Sequence, residues 1–221
     1  MSVSDSSCGK DTFTMSGYSN HGNAIADKTD LFGWSGSTAR AKWGVSTSQD
    51  NADYSGDFVD WGTNIGDGKT WYTLTYAEWS YLLSERTNAA NLKGIACIHL
   101  NADGTEYANG LVLLPDNWTC PAGITFKSGF ANENMMQAYD DYQTFTLADW
   151  QQLEAAGAVF LPASGYRGGS YVSRVQNYGY YWSATTDDSR YAYYQNFYSS
   201  EASTDYGNRY NGLSVRLVRD L

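Results

Sequence analysis

Residue types able to do chemistry are sparse in this chain and poorly spaced for it. Three cysteines, Cys8, Cys97 and Cys120, show no Cys-x-x-Cys or Cys/His spacing of the kind that closes around zinc, and an odd count cannot complete a disulfide framework. Cys97 and Cys120 can pair, or each can remain a buried free thiol that behaves as a small hydrophobe. The two histidines are His21 and His99. His99 follows Ile95-Ala-Cys-Ile98, an apolar setting that suits a satisfied core or sheet-edge histidine better than a general base. Asp140 with Asp141, and Asp187 with Asp188, are the nearest approach to paired carboxylates, but adjacent residues face apart and stay solvated. The expectation is no catalytic and no metal site, hence no enzyme and no cofactor. A structural calcium ion held by acidic loops is left open.

A different chemistry is written into the tail. From Tyr180 to Leu221, tyrosines interleave with Asp, Asn, Ser, Arg and Gly before the apolar run Leu213-Ser-Val-Arg-Leu-Val218. Tyr offers large, rigid, half-polar contact area with two torsions to freeze. The small polar residues offer adaptable hydrogen bonds, the combination used by antibody combining sites.

Composition narrows the partners. The chain has 221 residues, 42% of them apolar, enough for one core of ordinary size, and its 19 Tyr, 8 Trp and 22 Gly favour a loop-rich, sheet-containing fold. A formal net charge of −10 argues against nucleic acid, whose binding draws on clustered Lys and Arg. No run of about 18 apolar residues is present, so no direct membrane insertion is expected. Met1 to Lys10 lacks the basic and apolar regions of a signal peptide.

The elements that must position the tail can be placed from local signals. Thr75-Tyr-Ala-Glu78-Trp79 and Thr146-Leu-Ala-Asp149-Trp150 each put a Thr N-cap three residues before an acid and then an apolar face, so each marks a helix start. The second helix should stop at Gly157. Gly110-Leu-Val-Leu-Leu-Pro115 and Gly157-Ala-Val-Phe-Leu-Pro162 read as buried strands bounded by Gly and Pro. Residues 1–29 read as a loop segment, 30–221 as one domain, and roughly 116–145 as a polar insertion. In the tail, three antiparallel strands are expected at 179–184, 191–198 and 212–218, joined by loops at 185–190 and 199–211. Period two would put Ala192, Tyr194, Asn196 and Tyr198 on one face and Tyr191, Tyr193, Gln195 and Phe197 on the other.

The motifs Asp30-Leu-Phe-Gly-Trp34, Trp71-Tyr-Thr-Leu-Thr-Tyr-Ala-Glu-Trp79, Gly110-Leu-Val-Leu-Leu-Pro-Asp116, Gly157-Ala-Val-Phe-Leu-Pro-Ala163, Gly165-Tyr-Arg167, Tyr181-Trp-Ser183 and Gly212-Leu-Ser-Val-Arg-Leu-Val218 occur in an order and spacing that resemble a bacterial group. It is common in Bacteroidetes and Fibrobacter, and its members carry a C-type-lectin-like domain related to formylglycine-generating enzymes. Members with a Trp-Ser opening, a Tyr/Asn/Ser/Asp-rich middle and a Gly-Phe-Ser-Val-Arg-like close include the variable proteins of diversity-generating retroelements. In these, adenine-directed mutagenesis of Asn-type codons yields Asn, Ser, Asp, Tyr, Gly, Ala, Thr, His and Arg. Residues between Thr186 and Asn211 come largely from that palette. Gln195 and Glu201 depart from it and would be fixed, and Leu213 stands where Phe is expected.

The resemblance implies an α+β, C-type lectin-like fold with two helices, short antiparallel sheets and long loops, displaying a variable region at 180–218. Tyr181, Trp182, Ala192, Phe197, Val215 and Leu217 would hold the face. The ligand-binding positions would be Asp187, Arg190, Tyr191, Tyr194, Asn196, Tyr198, Ser203, Asp205, Tyr206, Asn208 and Tyr210. Alanine at Tyr194 or Tyr206 would then cost within roughly 0.5 kcal/mol, and at Trp182 or Leu217 about 2–5 kcal/mol. The implied role is recognition of a protein or glycan target outside the cell, on a bacterial cell surface or a phage virion. The alternative is a fixed structural or adhesin module without diversification. Formylglycine-generating chemistry is disfavoured because it needs a reactive cysteine pair in the C-terminal half, and no Cys follows Cys120. Calcium-dependent sugar binding lacks its Glu-Pro-Asn or Gln-Pro-Asp and Trp-Asn-Asp motifs; Pro115-Asp-Asn-Trp118 comes nearest and reads as a turn.

Overall fold

A computed structural model describes residues 49–58, 60, 62, 68–169 and 171–220. The segment 1–29, the motif at 30–34, Cys8 and His21 lie outside the described residues. The chain is α+β.

Both expected helix starts are present, because their signals are local. Helix α1 (Tyr76–Ser80) opens on a capping box in which the Thr75 hydroxyl accepts from the Glu78 amide and Glu78 accepts from the Thr75 amide. It runs on into a π-helical turn (Tyr81–Glu85) and buries Trp79 and Leu83. A second helix, α2 (Ala138–Tyr142), was not foreseen and makes three α-helices among the described residues where two were expected. Helix α3 (Leu147–Ala155) repeats the capping box with Thr146 and Asp149. It ends at Gly157, whose φ of +97° lets its amide reach Glu154 and the Ala158 amide reach Leu153.

The central sheet has the order β4-β2-β3-β5, from β2 (Lys93–His99), β3 (Tyr107–Leu113), β4 (Thr144–Thr146) and β5 (Val159–Pro162). Only β4 runs parallel to its neighbour. Alternation sorts its side chains into two cores. Ile95, Cys97, Leu111, Leu113 and Leu161 join Trp79, Leu83, Tyr139, Tyr181 and Phe197 on one face. Ala96, Ile98, Val112, Leu114 and Phe160 join Trp150 and Leu153 of α3 on the other. Where the sheet is buried on both faces it has no polar side to show, which is why β3 and β5 read as continuous apolar runs, whereas β2 and the short β4 (Thr-Phe-Thr) were not expected as strands.

The polar stretch at 116–145 is sewn onto this sheet rather than looped away from it. Gly129 exchanges backbone bonds with β2, and the Gln143 side chain donates to Ile95 and Lys127 while accepting from the Lys127 amide. Asp116 and Asn117 form the expected turn after β3, closed by the Trp118 amide on the Pro115 carbonyl. Cys97 and Cys120 are both free thiols, so the candidate disulfide is not formed. Burial, with the Asp140 carboxylate nearby, pushes the Cys97 thiol up to about 12 and keeps it protonated at neutral pH when no ion is bound. Among the described residues, no helix is long and apolar enough to cross a membrane.

Two short ladders lie beside these elements among the described residues. Strand β1 (Tyr72–Thr73) pairs with β11 (Leu217–Val218), and β6 (Tyr166–Gly168) with β7 (Tyr171–Ser173).

The tail departs from expectation in one strand. Strands β8 (Gly179–Thr186) and β9 (Tyr191–Tyr198) are as expected, but their third partner is β10 (Glu201–Asn208), in the stretch read as loop. The segment 212–218 instead lies along the other side of β8, parallel at Tyr181 and Ser214, before entering β11. Strand β10 carries no alternating apolar signal, and its place is fixed by backbone pairing with β9.

Tyrosines packed against the two faces of this sheet, Tyr139 and Tyr181 buried and Tyr180 half-buried, set a pH limit. Burial raises Tyr139 and Tyr181 well above the ordinary value of 10.0 and Tyr180 to about 12. The folded state therefore holds protons that the unfolded state has released, and stability falls as pH rises. Denaturant unfolding at stepped pH should show an unfolding free energy insensitive to these groups below pH 10.0 and declining from there through about 12. A constant value across that range would contradict their burial.

Candidate recognition surface

The hairpin sheet is held by polar residues aimed inward. Ser183 is buried at the β-bulge between Trp182 and Thr186. Its hydroxyl donates to the Tyr193 carbonyl at 2.8 Å and accepts from the Thr185 amide, making up for interrupted ladder bonds. This gives the Trp-Ser motif a physical basis, since Trp182 fills the apolar pocket with Ala192 and Leu213 while Ser183 fixes the kink. At the two-residue β9–β10 turn, buried Ser199 donates to Glu133 at 2.6 Å and accepts from the Met135 amide.

Past β10, the buried Arg209 guanidinium donates to the carbonyls of Tyr54, Gly56, Asp188 and Tyr191. It joins the 3-10 turn Asn51–Tyr54 to the β8–β9 loop. Within that loop, Asp188 accepts from the amides of Arg190 and Tyr191, which hold its carboxyl below the usual range. The Asp187 carboxylate instead faces out to accept the Tyr193 hydroxyl at 2.9 Å, raising that phenol.

The eleven candidate positions do not form one surface. On one face Tyr206, 53% exposed, packs edge-on against Tyr191 and Tyr193, with centroids 5.8 and 6.2 Å away. Tyr193 in turn meets Tyr76 of α1 at 4.7 Å, and the Arg190 guanidinium lies over the Tyr191 ring. Asp187 and Arg190 are exposed at this edge. Tyr76 and Tyr193 belong to the patch, yet sequence reasoning left both out. The alternation that put Tyr193 with Phe197 was right, but this face passes from core at Phe197 to surface at Tyr193 along a single strand.

The opposite face carries Tyr194, Asn196, Ser203 and Asp205, with Tyr194 opposite Asp205 and Asn196 opposite Ser203. Tyr194 is half-buried in a chain of rings with Tyr180 and Trp182, and Tyr178 stacks on Tyr180 and meets Tyr198 at a tilt. Burial raises the Tyr194 phenol. Asn196 is buried and accepts from Ser203, so it is not a free display position. Asn208 is half-buried and accepts from Asn51. Tyr210 follows β10 and is half-buried. Of the departures from the variable palette, Gln195 is fully buried while Glu201 is exposed beside the turn.

A family model described as a domain of unknown function, DUF8237, matches residues 142–218, which include α3 and the whole hairpin sheet. No curated protein and no solved structure matches the chain.

Proposed function

We propose that this chain is a target-recognition protein whose hairpin surface is diversified on a C-type lectin-like scaffold, like the variable proteins it resembles. It acts outside the cell, on a bacterial surface or a phage particle, and its target is a protein or a glycan. The observation that carries this reading is the patch of Tyr76, Tyr191, Tyr193 and Tyr206, with charged Asp187 and Arg190 at its edge. The rings brace one another and their backbone is clamped from beneath, so little ordering entropy is lost on binding. Central aromatic anchors with a charged rim are the arrangement of interface hot spots.

The test is to sequence the encoding locus for a reverse transcriptase gene and an imperfect repeat of the codons for 180–218. Adenine-linked differences are expected at Asp187, Arg190, Tyr191, Tyr193, Asp205 and Tyr206. The codons for Ser183, Gln195 and Ser199, together with that for the clamp residue Arg209, should be unchanged. A locus with neither gene nor repeat would leave a fixed adhesin or structural module.

A further inference from the structure

We propose that Cys97, His99 and Asp140 form a zinc site, independent of the hairpin surface. Cys97 and His99 lie two apart on β2, so their side chains leave the same face of the sheet. Asp140 comes from α2, packed over that face. One thiol sulfur, one imidazole nitrogen and one carboxylate oxygen lie within 4.8 Å of one another. His99 Nε2 and Asp140 Oδ1 are 3.3 Å apart, close to the separation of about 3.3 Å that two ligand atoms adopt around a tetrahedral ion with bonds of about 2.0–2.1 Å.

A second observation points to a ligand in the same place. The three residues line a cleft of about 150 Å³ together with Asn109, which stands directly across from Cys97 on β3. Asn109 is 1% exposed. Its amide nitrogen donates to the carbonyls of Met136 and Gln176 at 3.0 and 2.9 Å, and this fixes the amide with its oxygen turned away from them. That Oδ1 is buried and has no partner among the described residues. An acceptor of this kind fits a cleft that holds a polar guest, because leaving it empty-handed is unfavourable.

The donor set selects the ion. Thiolate disfavours calcium and magnesium, whereas one sulfur, one nitrogen and one oxygen suit zinc, with water on a fourth position facing the cleft. The ion takes the place of the Cys97 thiol proton, which leaves to solvent. Asn109 Oδ1 accepts a hydrogen bond from the ion-bound water. Around this set, Thr144 donates to Asp140 Oδ1 at 2.5 Å and holds the carboxylate in position. Gly104, at a φ of +71°, lies so close to the imidazole that an added Cβ would fall 2.8 Å from the ring. The spacing rules missed the group because its third member is brought in by the fold.

The test is titration of the intact protein with zinc against a chromophoric chelator, and with cobalt read by absorption. One ion per chain is expected, with a thiolate-to-cobalt charge-transfer band that Cys97→Ser removes. Cys97→Ser, His99→Gln and Asp140→Asn should each weaken zinc by at least about 10-fold, while Cys120→Ser leaves affinity unchanged. Asp140 is exposed, so its variant keeps the fold and serves where Cys97→Ser disturbs packing. Absence of the charge-transfer band, or wild-type zinc affinity in both Asp140→Asn and His99→Gln, would overturn the proposal.

Discussion

Trp182→Ala is expected to lower the unfolding free energy by about 3–5 kcal/mol in denaturant titration, and Tyr206→Ala by no more than about 0.5 kcal/mol. The indole is 2% exposed and packs edge-on against Tyr194, with Ala192 and Leu213 completing its pocket. Alanine would leave a cavity between the sheet and the 212–218 segment. That segment is bound to β8 by the Trp182 amide and the Tyr180 carbonyl, so it has little freedom to collapse inward. Tyr206 rests one edge against its neighbours and gives most of its ring to water. Tyr194, first grouped with Tyr206 as freely replaceable, should behave more like Trp182, because its ring is half-buried in the same cluster. Equal losses at Trp182 and Tyr206 would remove the distinction between scaffold and display.

Arg209→Ala should cost about 3–5 kcal/mol, and it should do so locally. The guanidinium satisfies four buried or half-buried carbonyls, and a hydrogen bond from a charged donor is worth about 1.5–3 kcal/mol net. Contributions from one head group are not additive, hence the lower total. Lysine cannot substitute, because a single ammonium lacks the planar fork that spans these acceptors. Hydrogen exchange should speed up at the Tyr191 amide and in residues 187–190 in Arg209→Ala, while β2 and β3 remain protected. Unchanged exchange in that loop would mean that Asp188 alone holds it.

What was legible in the sequence was what is decided within a few residues. Thr75 with Glu78 and Thr146 with Asp149 announce helices because each box closes on itself, and Gly157 ends α3 for the same reason. Strand β2 was not expected as a strand, while β3 and β5 were legible from their apolar runs. Strand β10 was not, because Glu201-Ala-Ser-Thr-Asp-Tyr-Gly-Asn208 has no apolar period and takes its register from β9. The tyrosine patch was half legible, since composition points to the tail but not to which face of a strand stays wet. Tyr76 joins it from α1 across the whole chain, and Asp140 meets His99 only because α2 packs on β2.

The anchors of the hairpin have one property in common. Ser183 binds the carbonyl of Tyr193, Ser199 that of Glu133, and Arg209 those of Tyr54, Gly56, Asp188 and Tyr191. Each grips the main chain, whose oxygen is the same atom whatever side chain the residue bears. The scaffold is therefore indifferent to the alphabet spelled on its outer surface. Positions 191 and 193 can be rewritten without loosening the bonds that keep them in place, so new specificity and retained foldability do not compete there.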